Sequence, residues 1–395
     1  MSKRPHVWLE HLFPSPPALP KGMFSYQPGP DSALQARLHL RVEPDGAGLL
    51  IVNASTVLHL NPSACDIAYG LVQGLPDEQI AERLHQRYRI GRAEARSDSA
   101  AFIASLRELI AARDLDPELY LDVPRTPLSG GALSAPYRLD CALTYRLRDG
   151  DEQGLAPWGR VAQELDGASW RQILQTAWDA GVPHVVFTGG EPTLRDDLPE
   201  LIAATQSTGQ VSGLLTDGLR LNEEGYLGAL LDAGLDHLLI ALDPANPRAW
   251  DALQKALAED IFLSVHLTLT AENAGELEEV LRRLSAMGVR SLSLSTTEPE
   301  GQEPLAALAS RANYLGLSLT WDLPVPYSRF NPVRLELPPE ERAEAVGTVL
   351  YVEPDGDVLP AQGINQPLGN LLRDPWETVW EHATAFRNAL HPPAA

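Results

Sequence analysis

A chain of 395 residues with 53 acidic against 31 basic side chains carries a formal charge of -22, which argues against nucleic acid or any partner held by phosphate neutralisation. Its hydrophobic fraction of 44% suits an ordinary globular protein of two or three domains. No apolar run approaches the roughly 20 residues of a membrane span, and Met1 to Arg4 leads into a polar, proline-rich stretch rather than a signal-peptide core, so a cytoplasmic location is expected. The only cysteines, Cys65 and Cys141, support neither a disulfide framework nor a paired zinc ribbon, and both are expected as small buried hydrophobes.

Residues 1–35 are rich in proline and aromatic side chains without periodicity and are expected to form an extended arm. Ala36–Val42, Leu49–Asn53 and Thr56–Leu60 are predicted strands, separated by the turn signals Pro44-Asp45-Gly46 and Asn53-Ala54-Ser55. Three helices should follow. Asn61 caps the first, which runs to Val72; Pro76-Asp77-Glu78 opens the second, to Tyr88; the third covers 93–112 with Phe102, Leu106 and Ile110 on its core face. This order, with the wording Val52-Asn53-Ala54-Ser55-Thr56-Val57-Leu58-His59-Leu60-Asn61-Pro62-Ser63-Ala64, resembles the pyrroloquinoline-quinone synthesis protein D (PqqD) family over residues 36–114. The resemblance implies a winged-helix α+β module that binds the leader of a precursor peptide as an added strand, paired to the open backbone groups of a sheet edge. The alternative is a plain docking or regulatory domain for the barrel behind it, and the partner held through this domain is expected to be a precursor peptide or an active paralogue. Residues 115–136, with several prolines and Ser129-Gly130-Gly131, read as a linker.

From Tyr137 onward short apolar strands alternate with helical patterns: Tyr137–Thr144, Val182–Phe187, Val211–Leu215, His237–Leu242, Phe262–Thr270, Ser291–Ser295 and Leu317–Trp321. Repeated βα units imply parallel strands and right-handed crossovers, hence an α/β barrel or partial barrel with helices outside. Ser264, His266, Thr268 and Thr270 share one strand face, and Ser291, Ser293 and Ser295 share another, each opposite leucine or valine. With the apolar faces under the helices, the polar faces are expected to line a wet cavity; an open, solvent-facing sheet edge is the alternative. His184 and His237 begin their strands and belong at the far end.

The second of these strands ends in Phe187-Thr188-Gly189-Gly190-Glu191-Pro192, ahead of a helix predicted over Leu194–Thr205. In that position the loop resembles the ligand loop of the radical S-adenosylmethionine (SAM) superfamily, and residues 137–325 resemble its partial (β/α)6 barrel. The resemblance implies that Gly189, Gly190, Glu191 and Pro192 receive the SAM amino group through backbone carbonyls that glycine lets approach closely. Leu215-Thr216-Asp217-Gly218 resembles the family's Thr-Asn-Gly turn, and Ala241-Leu242-Asp243-Pro244 resembles the strand end near the SAM ribose. Asp243, with the inward-facing His266 and Ser295, completes the candidate cofactor-binding set; no catalytic residue and no metal ligand is assigned.

The family also holds a 4Fe–4S cluster through C-x3-C-x2-C just after the first barrel strand. Here Leu143-Thr144-Tyr145-Arg146 leads into Leu147 where the first thiolate belongs, with Asp151 and Gly154 at the next spacings. None of these replaces a soft sulfur ligand, so no iron–sulfur cluster is expected. Asp149, Asp151 and Glu152 form either a solvated acidic loop or a hard-cation site. The segments Leu350 to Pro360, Leu368-Gly369-Asn370-Leu371 and Trp376 to Trp380 resemble the C-terminal SPASM or twitch extension (326–395), which binds auxiliary clusters in active peptide-modifying members; Ala361 stands where its cysteine belongs. A hairpin, a Gly-Asn turn and a helix with Trp376 and Trp380 in the core are expected there. Together these features read as a cluster-less radical-SAM-like pseudoenzyme, a peptide-binding accessory or regulator with residual SAM or small-molecule binding. The alternatives are a radical SAM/SPASM peptide-modifying enzyme using a borrowed cluster, and a non-redox SAM-dependent enzyme.

Overall fold

The computed structural model describes residues 18–29, 32, 34–52, 56–111, 133–148, 161, 163–296, 302–319, 324 and 349–390. The chain divides into two units, 1–134 and 135–395. Most of the expected linker, the acidic residues Asp149, Asp151 and Glu152, and Gly154 lie outside the described residues.

In the first unit β1 (Gly22–Tyr26), β2 (Leu38–Val42), β3 (Gly48–Val52) and β4 (Thr56–Leu60) form an antiparallel meander, followed by helices over 62–72, 77–88 and 92–111. Alternation along β2 and β3 sends Leu38, Leu40, Leu50 and Val52 into one core with Ile67, Leu71, Ile80 and Leu106. The Asn61 side chain accepts the Ala64 N–H at 2.9 Å, the cap expected from sequence. The extended arm departs from expectation, because residues 22–26 pair with β2 as a fourth strand. Phe24 sets its ring edge-on to Tyr69 at 5.0 Å, and Phe24 and Tyr26, two residues apart, both pack on the core. That spacing on one strand face is the signal the arm carried. With β1 covering β2, β4 is the other edge of this sheet.

The second unit holds ten strands in the order β11-β10-β9-β8-β7-β6-β5-β12-β13-β14. β5 (Arg138–Thr144), β6 (His184–Gly189), β7 (Val211–Thr216), β8 (His237–Ala241), β9 (Phe262–Leu269), β10 (Ser291–Thr296) and the short β11 (Ser318–Leu319) run parallel in chain order, as the repeated βα pattern requires. Cys141, Phe187, Leu214, Ile240, Val265 and Leu292 point outward into a core with Trp170, Leu201, Leu253 and Leu281 of the covering helices. β12 (Val349–Val352) extends the sheet parallel to β5, and β13 (Asp357–Leu359) and β14 (Gly369–Asn370) follow antiparallel. Gly369-Asn370, expected as a turn, is a two-residue strand; the Asn370 amide holds it by donating to Asp355 O and Asp357 Oδ1. Trp376 and Trp380 of helix 376–390 stack at 6.2 Å and pack on the core.

The polar strand faces do point away from the helices, yet much of the interior is packed rather than wet. Val186, Leu215 and Leu239 form an apolar cluster there, and the lower rungs Ser264 and Ser291 are buried and hydrogen-bonded to each other at 2.5 Å. At the N-terminal ends of the strands Arg138 pairs with Asp140 at 2.6 Å, and His184 and His237 meet through their Nε2 atoms at 2.6 Å. Burial, with Arg138 nearby, pushes His237 down to about 4, which favours its neutral form beside His184. Gly213 makes the room: a Cβ there would stand 2.1 Å from the His237 ring. Gly213→Ala should therefore destabilise the protein by about 1–3 kcal/mol through overpacking. Gly228→Ala, in open space on helix 226–232, should stabilise it by about 0.5–1 kcal/mol. Urea midpoints of the two variants check both signs.

Candidate functional site

The Gly-Gly-Glu-Pro loop lies at the C-terminal end of β6, against the residues that leave β5. Gly190 N–H donates to Thr144 O at 2.7 Å and Glu191 N–H to Arg146 O at 2.8 Å. A Cβ on Gly189, whose φ is +122°, would stand 2.2 Å from Thr144 O, and one on Gly190 would stand 2.2 Å from Arg146 O. The space that glycine leaves open is therefore filled by the chain's own carbonyls, which is a physical requirement for both glycines without any ligand. Pro192–Leu194 then form a single 3-10 turn and the helix starts at Leu198, later than the sequence pattern suggested. Glu191 caps the turn by accepting the Thr193 N–H at 2.9 Å.

The Glu191 carboxylate faces inward and is 2% exposed. Its Oε1 also accepts the hydroxyls of Thr193 and Thr216, the latter at 2.7 Å, and its Oε2 accepts the Asp217 N–H at 2.7 Å. Burial first and the Asp217 carboxylate second push Glu191 up to about 8, against the downward pull of these hydrogen bonds. The Glu191 side chain is thus a brace that ties the end of β6 to the end of β7.

Arg148 spans the same two ends. Its Nε donates to Asp217 Oδ2 at 3.0 Å and its Nη2 to Thr193 Oγ1 at 3.1 Å. Asp217 is fixed in turn by Leu219 N–H, donated to Oδ1 at 2.8 Å. Arg220 donates to Thr193 O, pairs with Asp196 at 3.1 Å and lies over the Tyr226 ring at 4.4 Å. The Thr144 hydroxyl and the Tyr145 N–H donate to Glu164 Oε1, and Glu164 Oε2 lies 3.6 Å from Arg146 Nε. Sequence reasoning missed Arg148, Thr193, Glu164 and Arg220, since only folding brings four separate loops to one end of the barrel. An arginine directly after the first vacant ligand position, at Arg148, was the one available hint.

The remaining candidates do not converge on this loop. His266 is 1% exposed, with Nδ1 on Ser293 Oγ at 3.0 Å and Nε2 on Ser295 Oγ at 3.0 Å and Thr268 Oγ1 at 3.2 Å. Both ring nitrogens are thus committed within the β9–β10 wall, and burial pushes the imidazole down to about 3. His266 and Ser295 accordingly brace each other rather than present free groups to a cofactor. Asp243 is half-buried and accepts the Ala245 N–H at 3.0 Å, which fixes the turn after β8.

The donors here do not fit a thiolate-held cubane. Cys141 is buried in β5 facing the helices, its thiol pushed well up by burial and by Asp140, and Cys65 lies buried in the first unit. Leu147 is half-buried, and Ala361 merely accepts the Ile364 N–H at 3.2 Å. Among the described residues no group of three His, Cys, Asp or Glu side chains is placed to hold a metal ion. A cation is a different matter, since Asp217 and Thr193 offer it acceptors that Arg148 already uses.

Residues 141–267 match the Radical SAM superfamily model, and residues 47–109 match that of coenzyme PQQ synthesis protein D. The chain carries a radical SAM domain and a PqqD domain. Among curated proteins it is similar to PqqA peptide cyclases: 42% identical over 24% of this chain and 25% of the Xanthomonas axonopodis pv. citri protein, and 30% identical over 35% of this chain and 41% of the Methylocella silvestris protein. The chain thus spans about a quarter to two fifths of the length of these relatives. The Xanthomonas campestris pv. campestris cyclase is 28% identical over 57% of this chain and 68% of its own length. Among solved structures, Streptococcus suis SuiB bound to S-adenosylmethionine superposes with a TM-score of 0.58 at 16% identity, covering 89% of each chain. SuiB bound to its precursor peptide SuiA gives 0.54 at 15% identity, covering 88% of each. At such identity the likeness shows the fold alone.

Because Glu191 is raised in the folded state from 4.5 to about 8, its contribution is complete below pH 4.5 and is lost as pH climbs through 8, by about 1.4 kcal/mol per unit. Glu191→Gln carries a constant penalty for the amide it turns toward Asp217 N–H but removes this slope. Urea unfolding of both proteins across that window should show stability falling with pH in the wild type and not in the variant.

Proposed function

We propose that this protein is a peptide-binding accessory or regulator of radical SAM peptide modification, a pseudoenzyme whose radical SAM domain holds no cluster of its own. The observation that carries the reading is the donor set: the loop after β5 offers Leu147 where a thiolate belongs, and both thiols of the chain are buried elsewhere. Reductive cleavage of SAM takes an electron from the cluster, which no side chain supplies. In this reading 36–114 is the winged-helix peptide-recognition module, 137–325 the partial barrel and 326–395 a degenerate SPASM or twitch extension. The leader of a precursor peptide adds as a strand along β4, the edge of the sheet opposite β1. The precursor peptide held by SuiB is the parallel that supports a peptide partner.

A second reading is favoured by the match of residues 141–267 to the superfamily model and by the intact Gly189-Gly190-Glu191-Pro192 loop: a SAM-dependent peptide-modifying enzyme that draws its cluster from a partner. Anaerobic reconstitution of the purified chain with iron and sulfide tests the first reading, and SAM cleavage by this chain mixed with a cluster-bearing partner, lost with Gly190→Trp in this chain, tests the second. The accessory reading expects substoichiometric iron and no visible charge-transfer band, and a stoichiometric cluster on the purified chain sinks it. For the peptide arm, the synthetic peptide encoded by a small reading frame beside the gene should raise hydrogen-exchange protection in β4 and leave β1 unchanged. Equal protection of both strands, or none, removes strand addition at β4.

A further inference from the structure

Arg148 occupies a niche built for a cation, and the niche is organised without it. Thr193 Oγ1 is oriented by its own donation to the buried Glu191, and Asp217 is held by Leu219 N–H through Oδ1, so one hydroxyl lone pair and Oδ2 face the same point. The guanidinium of Arg148 fills that point by bonding both. Acceptors fixed beforehand bind a cation without losing further freedom. Yet the occupant is replaceable: the Arg148 and Asp217 side chains stay 31% and 30% exposed, in the regime where an ion pair contributes little. Beside them the buried Tyr226 Oη makes no hydrogen bond. It lies under the Arg220 guanidinium, 4.4 Å from the ring centroid, and within electrostatic reach of Glu191 and Arg148.

We propose that Thr193 and Asp217 form an organic-cation site that the chain fills with its own Arg148, so that a ligand bearing a guanidinium, ammonium or sulfonium group enters only by displacing that side chain. For SAM the inference rests on the reading of the Gly-Gly-Glu-Pro loop as its ligand site; for other organic cations it stands alone. The binding step is an exchange of one cation for another, so net charge in the niche is unchanged and the released guanidinium gains hydration.

The test uses the full chain with Arg148→Ala, and Arg148→Gln should the alanine variant fail to fold. Ethylguanidinium at about 10 mM, against equal sodium chloride, should raise the variant's melting temperature saturably by roughly 2–4 °C and leave the wild type unmoved. Adding Asp217→Asn should abolish the rescue. Calorimetry with SAM reports separately: the variant should bind at least about tenfold more tightly than the wild type. Rescue by ethylguanidinium with no SAM binding to either chain supports the niche and removes SAM as its ligand. Identical responses of variant and wild type to ethylguanidinium, or a rescue that survives Asp217→Asn, overturn the proposal.

Discussion

The approach of Thr144 O and Arg146 O onto Gly189 and Gly190 is the contact on which the rest of the site depends. Two main-chain hydrogen bonds join the exit of β5 to the exit of β6 at a separation that no side chain tolerates. They set the direction in which the chain leaves β5, and with it the place of Arg146 and Arg148. The same bonds turn Glu191 inward, where the ends of β6 and β7 supply its donors. A glycine pattern associated with ligand approach is thus also a packing requirement of the fold, and its presence is weaker evidence of a bound ligand than it looks in sequence.

Electrostatics at this end of the barrel run against the chain as a whole. The protein carries a net charge of -22, yet Arg146, Arg148, Arg195 and Arg220 gather around one loop, each beside a carboxylate. Arg195 also donates to the carbonyls of Leu143 and Leu165, tying both ends of the segment after β5 to the turn after β6. Such a lattice of paired charges holds loops in register, because each guanidinium bridges two chain segments through fixed donors. The buried Glu191 is its least exposed member and responds most to pH.

The first unit applies a different logic. Its sheet is buried on the face toward its helices and open along a strand edge, the arrangement by which an extended peptide gains backbone partners. The chain's own residues 22–26 already use one edge in this way. That pairing leaves β4 as the other edge strand of this sheet among the described residues.

Much of the architecture was legible in the residues themselves. Short apolar runs bounded by turn signals located β2 to β10, Asn61 announced its cap, and repeated βα units dictated parallel strands, because local spacing and turn chemistry act over a few residues and survive in the sequence. The arm strand β1 was less visible, since five residues become a strand only when β2 offers partners. The absence of clustered cysteines was likewise settled by composition alone. What only the tertiary structure decided was the use of each polar group. His266 and Ser295 share the inward face that parity assigned them, but folding turns them toward each other. Arg148 meets Asp217 across 69 residues of sequence, and Thr144 and Arg146 reach across to Gly190 and Glu191. Hydrogen bonds and ion pairs act over about 3 Å in space, and no pattern along the chain encodes which distant groups will stand that close.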